Sequence, residues 1–346
     1  MIAAVMRWGC LVAMLVVWLA EMSRAADWVR AGVNTDQAMW GLRSGLCWAI
    51  APGGFHRGGE PRGLIRLGYP VLTNGAHDLV NFLAIEPIVK GRRGFSELEP
   101  SRMDNARGKR FWAVGEHGGT KQAGLVSGKL AALSSGSEQL DVTVCAEPFD
   151  NGAKVRLDIS QRSDNPDEIK LAIHAEADSA PMEYCVLTAT MGNMVRARQL
   201  WLKDAVLDSR QLHHNHTNAD FAPHTFHGLD RLARTMAGDV IVAVTTDEAD
   251  PASVFPFPGT RRWHYGGFPV TQYWKKTRGT FRDDLHVAVN ARYTYWQTHR
   301  AIPGGVAFEN FEMRERFYDG QEFVFGITRR TPDQLGIKRE AKEVER

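Results

Sequence analysis

The segment HHNHTNADFAPHTFHGLD, residues 213–230, is the part of the chain richest in side chains that can carry out chemistry. It contains five of the twelve histidines, at His213, His214, His216, His224 and His227. Because imidazole titrates near neutral pH and also binds metal ions, the segment fits a proton-transfer site or a metal site. The third interpretation is an exposed loop in which these histidines only cap turns or satisfy backbone groups.

The spacing of the histidines favours proton transfer over metal binding. His214 and His216 have the i, i+2 spacing of two ligands on a strand, with Asp220 nearby, but Asn, Pro and Gly interrupt the segment. No HExxH motif is present. We therefore predict His216 and His214 as catalytic residues, His224 as a substrate-binding residue, and neither a metal site nor a cofactor. A structural calcium ion bound elsewhere by Asp and backbone oxygens stays open.

Part of this segment resembles a sequence motif of a known family. Asn215-His216-Thr217, followed by Phe221, resembles the NHTxF-type segment of the galactose mutarotases, which are also called aldose epimerases. Those proteins are large antiparallel β-sandwiches that act on sugars, and the resemblance implies acid-base chemistry at the anomeric carbon for His216. The sequence departs from the family pattern at Asn218, where the family has an aromatic residue. The resemblance therefore supports a sugar-related β-sandwich more than it supports epimerisation.

A second set of polar residues lies in LHVAVNARYTYWQTHR, residues 285–300. On a regular strand alternate residues point to opposite faces, so one face is apolar and the other combines an imidazole, an amide, a guanidinium and an indole. That combination suits sugar binding by ring stacking and fork-shaped hydrogen bonds, whereas the alternative is an ordinary solvated face. We predict His286, Asn290 and Trp296 as binding residues and Arg292 and Tyr293 as catalytic residues. We also predict that this strand and the His213–His227 loop meet at one cleft.

Aromatic and acidic residues elsewhere supply further candidates. Tyr273 and Trp274 lie in WHYGGFPVTQYWKK and are predicted to bind the substrate by stacking. Glu97 and Glu99 are an i, i+2 pair, which on a strand would share one face and supply the two carboxylates that glycoside hydrolysis needs. The alternative is that both carboxylates form ion pairs with nearby arginines.

Alternation of apolar and polar residues at period two, from about residue 110 onward, predicts an all-β fold. Turn signals separate the first runs, so we expect neighbouring antiparallel strands joined by hairpins within a large β-sandwich of supersandwich or jelly-roll type. Helices should be few and short, with residues 229–237 as the best helical segment. Strands are predicted at 140–146, 154–160, 169–175, 183–191, 239–247, 285–296, 306–317 and 322–328.

The two ends of the chain predict its organisation and its destination. Residues 1–25 combine a positive charge at Arg7, an apolar run too short to cross a bilayer and small residues at the end, which is typical of a secretory signal peptide. Residues 26–335 should form a single β-sandwich domain with a weak boundary near residue 120, followed by a charged tail at 336–346. The protein is thus expected to be secreted or periplasmic, with no membrane contact after cleavage of the signal.

Composition excludes several classes of protein. Lys and Arg number 42 against 40 Asp and Glu, so there is no basic excess that would attract nucleic acid. Removal of the signal leaves Cys47, Cys145 and Cys185, too few for a disulfide scaffold, although Cys145 and Cys185 could either pair or stay free. No GxSxG, GKS/T, GxGxxG or CxxC motif is present, which disfavours serine hydrolases, nucleotide binding and redox cofactors.

The remaining interpretation is an exported carbohydrate-active protein that takes a poly- or oligosaccharide. A polysaccharide lyase, acting by β-elimination on a uronic-acid-containing glycan, needs a cation or amide, a base and an acid, and Arg, Asn, His and Tyr supply them. We place this function narrowly ahead of glycoside hydrolysis or aldose epimerisation on the same fold. A non-catalytic carbohydrate-binding protein would need only the aromatic residues. The sequence does not predict the sugar or the oligomeric state.

Overall fold

A computed structural model of the protein describes residues 26–31, 39–56, 62–72, 74–114, 128–191, 195–247, 269–296 and 298–337. The predicted signal peptide, the weak boundary near residue 120 and most of the charged tail lie outside these ranges. Within them strands dominate, and helix is confined to the single turn α1 (Ser209–Leu212) and two 3-10 turns, Gly54–His56 and Leu229–Arg231.

The strands are numbered here in chain order. They are β1 (Trp28–Val29), β2 (Met39–Leu42), β3 (Cys47–Ala49), β4 (Leu64–Tyr69), β5 (Asp78–Val89), β6 (Arg92–Arg93), β7 (Phe111–Val114), β8 (Lys129–Ala132), β9 (Glu138–Ala146), β10 (Val155–Arg162), β11 (Asn165–Ala175), β12 (Tyr184–Thr190), β13 (Ala197–Trp201), β14 (Val206–Asp208), β15 (Thr225–Gly228), β16 (Ala233–Arg234), β17 (Val240–Thr246), β18 (Thr271–Lys276), β19 (His286–Arg292), β20 (Ala307–Arg314) and β21 (Gln321–Thr328).

These strands form two antiparallel sheets. Sheet I has the order β1-β2-β3-β4-β5-β12-β20-β19-β15, with β6 paired to β5. Sheet II has the order β14-β13-β17-β18-β21-β11-β10-β9-β7, with β16 paired to β17 and β8 to β9. The prediction of an all-β, large antiparallel sandwich with few short helices is confirmed.

The predicted hairpin pairing is confirmed for three of the first four predicted strands. β9, β10 and β11 are neighbours in sheet II, as the turn signals between them predict. The next strand, β12, leaves that sheet and lies between β5 and β20 in sheet I, so its prediction as a hairpin neighbour of β11 is wrong. The reason is burial, because five consecutive residues of β12, Cys185–Ala189, are buried, and a central strand of sheet I provides that environment.

Alternating apolar side chains fill the space between the sheets. Ile169, Leu171 and Ile173 on β11 are fully buried and belong to the same cluster as Val287 and Val289 on β19. Polar contacts also join the two sheets. The Trp274 indole nitrogen donates to the carbonyl oxygen of Phe311 at 2.9 Å, and Lys276 forms a fully buried ion pair with Glu315.

The segment predicted as the best helix is not helical. After the 3-10 turn Leu229–Arg231 it forms β16, which pairs with β17, and then a turn that exposes Met236. Leu232 and Ala233 are buried as adjacent residues of an extended chain, so their apparent helical spacing has no structural meaning here. A two-residue strand is too short for period two to show in the sequence.

The three cysteines of the described chain are free and buried. Cys145 lies on β9 of sheet II, while Cys185 lies on β12 of sheet I. Burial raises the pKa of the Cys47 thiol to about 12 and also raises that of Cys185. A thiol that stays protonated at neutral pH is a poor nucleophile, so Cys47 and Cys185 act as packing residues.

Candidate functional site

Sheet I carries polar side chains on the face opposite the inter-sheet core. The strand pairings align Phe226 with Ala288, Ala288 with Glu312, and Glu312 with Thr188. Directly paired residues project from the same side of a sheet, so these side chains share one face. The alternate residues Val287, Phe311 and Leu187 belong to the core. We call the first side the polar face of sheet I; it also carries Glu86, Asn310, Arg314, His286 and Arg292.

One arginine holds two carboxyl groups together on this face. The Arg93 guanidinium donates to Glu86, to Glu312 at 2.8 Å and to the Thr188 hydroxyl at 3.2 Å. Arg314 forms a second ion pair with Glu312. The Glu312 side chain is fully buried, whereas the Arg93 side chain is 22% exposed. We call these residues, Glu86, Arg93, Thr188, Glu312 and Arg314, the Glu86–Glu312 cluster.

The carboxyl groups of this region differ in protonation. Burial raises the pKa of Glu86 to about 8 although Arg93 opposes the shift. Burial likewise raises the pKa of Glu97, whose charge acts on Glu86, to about 7. Burial would raise the pKa of Glu312 too, but His224, Arg93 and Arg314 together hold it below its usual range. At neutral pH the cluster therefore contains a protonated carboxyl, Glu86, beside an ionised one, Glu312.

Three rings on and beside β15 and β19 lie above the cluster. The His224 Nε2 atom is 3.7 Å from the Glu312 carboxylate, and the His224 side chain is 25% exposed. The Phe226 ring lies 6.2 Å from the His224 ring and 5.9 Å from that of His286, and Phe226 is 60% exposed. The Arg314 guanidinium is 5.8 Å from the Phe226 ring. An accessible imidazole, an exposed aromatic ring and two guanidinium groups thus meet at one place.

Arg292, near the other end of β19, organises a second group. It donates to the carbonyl oxygen of Ala219 at 2.9 Å and to that of Thr294 at 3.3 Å. Its guanidinium lies 4.9 Å from the Phe221 ring and 5.2 Å from the Trp296 ring. We call Phe221, Arg292 and Trp296 the Arg292 cage. The cage fastens the histidine-rich loop to the sheet.

The loop and the strand that the sequence analysis singled out are adjacent in the structure. β15 pairs with β19 over four residues, and the Ala222 amide donates to the carbonyl oxygen of Ala291 at 2.8 Å. Within the loop, the His216 Nε2 atom contacts the Asp220 carbonyl oxygen at 2.8 Å, and exposed His214 contacts that of Gln211. The catalytic roles of His216 and His214 stay predictions. His224 and His286 are the predicted residues that lie beside the Glu86–Glu312 cluster.

The structure corrects the prediction that Tyr273 and Trp274 stack on a substrate. Both are buried on β18, at 0% and 1% exposure. The Tyr273 hydroxyl donates to Glu168 at 2.8 Å and Trp274 packs in the inter-sheet core. Sheet II has apolar layers on both sides of β18, so even its amphipathic aromatic residues are enclosed.

Arg292, Asn290 and Tyr293 have protein partners rather than open surroundings. Arg292 is 6% exposed and its guanidinium is occupied within the cage, so the prediction that it holds a substrate carboxylate is replaced by a positioning role. The Asn290 side-chain oxygen accepts a hydrogen bond from the backbone amide of Asn310 at 2.9 Å, at an irregularity in the β19–β20 pairing. Tyr293 is partly buried against the main core.

Glu97 and Glu99 do not form a strand pair. They lie in the turn that follows β6, so the strand geometry proposed for them is wrong. Glu99 forms a structural ion pair with buried Lys109 at 3.1 Å and accepts from the Phe95 amide. Glu97 is the one that acts electrostatically on the Glu86–Glu312 cluster.

The residues at the centre of the site are not those that the sequence patterns select. Glu86, Arg93, Glu312 and Arg314 were not among the predicted site residues. Two signals are available: the Glu86 carboxylate inside the largely apolar strand β5, DLVNFLAIEPIV, and the alternation of Glu312 and Arg314 with core residues in β20. A charged residue inside a strand that is otherwise apolar is expensive to bury, which makes it a functional candidate.

Two observations bear on cofactors and membranes. Among the described residues, no group of three or more His, Cys, Asp or Glu side chains is arranged to hold a metal ion. No helix in the same ranges has the length and apolar character needed to cross a membrane.

Comparisons with known proteins show little. No family model and no curated protein matches the chain. Among solved structures, it is similar to the galactosidase domain of the alpha-galactosidase-sucrose kinase AgaSK, with a TM-score of 0.38 and 9% identity over 89% of this chain and 42% of that one. It is also similar to HI1317, with a TM-score of 0.22 and 10% identity over 88% and 99% of the two chains. The chain thus spans less than half of the first structure, and likenesses this distant assign neither a family nor an activity.

Proposed function

We propose that the protein is carbohydrate-active and transfers a proton on an acidic sugar bound at the polar face of sheet I. One observation carries the proposal: His224 lies over the ionised Glu312 carboxylate, which Arg93 and Arg314 also contact, and beside the exposed Phe226 ring. Export from the cell, by cleavage of a signal peptide at residues 1–25, is part of the same proposal because polysaccharide substrates lie outside the cell.

His224 is the proposed proton carrier. Its ring is partly exposed, whereas Glu312 is fully buried and cannot touch a substrate. A buried carboxylate next to an imidazole fixes the orientation of the ring, which is the arrangement of a general base that a third group positions. The separation of 3.7 Å is longer than a hydrogen bond, and such contacts commonly tighten when substrate binds. Glu312 is thus a positioning residue in this mechanism.

The charge of the cluster favours an acidic sugar. Arg93 and Arg314 supply two positive charges, Glu312 supplies one negative charge, and Glu86 is protonated, so the cluster carries a net positive charge. Positive charge held in a partly buried site attracts the carboxylate of a uronic acid and stabilises the negative charge that develops there when the adjacent proton leaves. Phe226 offers an exposed ring for stacking on the sugar. These features together favour β-elimination.

Glycoside hydrolysis is the second candidate function. It needs one protonated and one ionised carboxyl group, and the pKa values of Glu86 and Glu312 differ in that sense. Both groups lie beneath the arginines and are almost fully buried, so they reach a glycosidic bond less readily than His224 does. Epimerisation and simple sugar binding remain as outcomes of the experiment.

The test is product analysis with uronate polymers. The mature protein is incubated with polygalacturonate, alginate and hyaluronan, and both near-ultraviolet absorbance and reducing ends are recorded. β-Elimination gives an unsaturated product that absorbs; hydrolysis gives reducing ends without absorbance; epimerisation and binding alone give neither. The replacement His224→Ala should lower turnover by ~10² to 10⁴, the usual contribution of a positioned proton carrier.

A matched control uses a histidine on the other sheet. His174 lies on β11, where its ring contacts Asp158 and Asp319. His174→Ala should leave turnover unchanged. Equal activity of the two variants would remove His224 from the mechanism, and turnover that survives His224→Ala but not His216→Ala would move the proton carrier to the loop.

A further inference from the structure

The Arg292 cage exposes a second aromatic surface on the polar face of sheet I. The Phe221 ring is 42% exposed and lies 6.0 Å from the half-buried Trp296 ring. Phe221 forms an isolated bridge with Arg292, while Phe226 pairs with Ala288. Arg292 and Ala288 are four positions apart on β19, so their side chains point to the same side of the sheet. Phe221 and Phe226, which pair with them, therefore project from that side too.

The two aromatic surfaces are too far apart for one sugar. Along β19 they are offset by four residues, which corresponds to about 13 Å at the rise of an antiparallel strand. That distance exceeds the length of a single sugar ring. A ligand that touches both surfaces must therefore be a chain.

Polar groups occupy the stretch between the two surfaces. Asn310 on β20 is half-buried, and its side-chain oxygen accepts from the Thr190 hydroxyl at 3.3 Å. Its backbone amide donates to Asn290, but its side-chain nitrogen has no hydrogen-bond partner in the described part of the chain, so that nitrogen can donate to a hydroxyl or carboxylate oxygen. An unpaired donor between two stacking surfaces is the arrangement expected of an inner subsite.

Contacts within the protein hold the cage in place. Arg292 is fixed by two backbone carbonyl oxygens and lies against both rings, so Phe221 is held without contributing to the main core. A stacking surface that is already ordered loses little conformational entropy when a ligand binds. An exposed phenylalanine on a loop that a buried arginine fastens is thus suited to binding rather than to packing.

We infer that the polar face of sheet I holds an extended glycan chain, with Phe226 stacking on the sugar at the reaction centre and the Arg292 cage stacking on a sugar further along the chain. The inference rests on the proposed function and adds a second subsite and a minimum chain length to it. Phe221, Trp296 and Asn310 become specificity-determining residues that do not touch the reacting atoms.

The test compares substrate lengths in matched variants. Oligomers of galacturonate, of mannuronate and of glucuronate, from one to six units, are titrated into the mature protein by calorimetry, and turnover is followed in parallel. Phe221→Leu keeps an apolar side chain in the cage but removes the flat ring. It should weaken binding of the hexamers by about tenfold, the effect of one lost stacking contact, and leave binding of the shortest ligands unchanged.

Two controls make the outcomes decisive. Phe226→Leu should weaken the binding of short and long ligands alike. Met236→Ala alters a 95% exposed residue in the turn before β17 and should change the binding of neither. Equal binding of hexamer and monomer by the parent protein, or an equal loss for all lengths in Phe221→Leu, would overturn the second subsite. Length-dependent binding without turnover would leave the subsite standing and refute the proposed enzyme. Failure of every oligomer to bind would overturn both.

Discussion

Two groups of buried charge, the Lys276–Glu315 pair and the Glu86–Glu312 cluster, differ in how well the charges are matched. Lys276 and Glu315 are both fully buried, one cation against one anion, and Glu315 also accepts from the Arg282 amide at 2.9 Å. Lys276 lies over the Phe323 ring at 4.3 Å, which further encloses it. Burial lowers the pKa of Lys276 although Glu315 opposes the shift.

The Glu86–Glu312 cluster is unmatched and open at one side. Two carboxyl and two guanidinium groups crowd together, but burial keeps one carboxyl, Glu86, protonated, and His224, Arg93 and Phe226 reach solvent. A matched, enclosed pair fixes the contact between two sheets. An unmatched, accessible cluster retains groups that can exchange protons and meet a ligand. The matching of charges and the exposure of side chains to solvent therefore distinguish a structural ion pair from a candidate site within the same sandwich.

The largest expected effect is on the matched pair. Lys276→Met leaves Glu315 as a buried carboxylate without its cation, which should lower the free energy of unfolding by ~3 to 5 kcal/mol. Urea unfolding measures the change. The double variant Lys276→Met/Glu315→Gln should recover most of the loss because the side-chain oxygen still accepts from Arg282. Turnover per folded molecule should match the parent; a selective loss of turnover would mean that this pair also serves the site.

Another buried carboxyl, Glu309 on β20, sharpens the comparison because neither oxygen has a hydrogen-bond partner in the described structure. Burial raises its pKa from 4.5 to about 7, opposed by Arg292. The folded state therefore keeps a proton that the unfolded state releases between pH 4.5 and 7. Stability is lost as pH rises through that window, by roughly 3 kcal/mol for a shift of this size.

Glu309→Gln tests this because an amide does not titrate. The free energies of unfolding of variant and parent are measured from pH 4 to 8, and their difference isolates Glu309 from Glu86 and Glu97, whose raised pKa values act in the same direction. We expect the free energy of unfolding of the variant, relative to that of the parent, to increase steadily as pH rises. A difference that does not change with pH would show that Glu309 is ionised in the fold.

The smallest of these effects concerns the unmatched cluster. Glu312→Gln keeps the shape of the side chain but removes the charge that orients His224, and turnover should fall by ~10². Stability should fall less than in Lys276→Met. Burial is the main cause of the raised pKa of Glu86 and the negative charge of Glu312 adds to it, so removal of that charge makes ionisation of Glu86 beside Arg93 easier. Turnover equal to the parent would remove Glu312 from the mechanism.

Local patterns predicted the sheets but not the pairings that build the site. Period two along β9, β10 and β11 was sufficient to predict three neighbouring strands, because their turns specify hairpins. The pairing of β12 with β5 and β20 has no local signal, and it is this pairing that brings Thr188 beside Glu312. The sequence likewise predicted that the histidine-rich loop meets β19, since both segments concentrate polar residues.

Errors in the prediction have a common physical cause. Tyr273 and Trp274 look amphipathic in isolation, but β18 is covered on both sides, which depends on strand order in sheet II. Glu86 looks like the end of an apolar strand, yet it meets Arg93 through the short hairpin from β5 to β6. The environment of a side chain is set by elements distant in sequence, and the local periodicity of a strand does not predict which elements pack against it.

The placement of β12 between β5 and β20 also governs the order of assembly. Arg93 and Glu312 are 219 positions apart in the chain, so their contact closes a very long loop. Such contacts form late and slow the folding of a protein, because the entropy of loop closure is lost before the contact can stabilise the product. A chain still emerging from the ribosome has Arg93 and Glu86 but not Glu312, so the acid-base cluster cannot form until β20 has been synthesised.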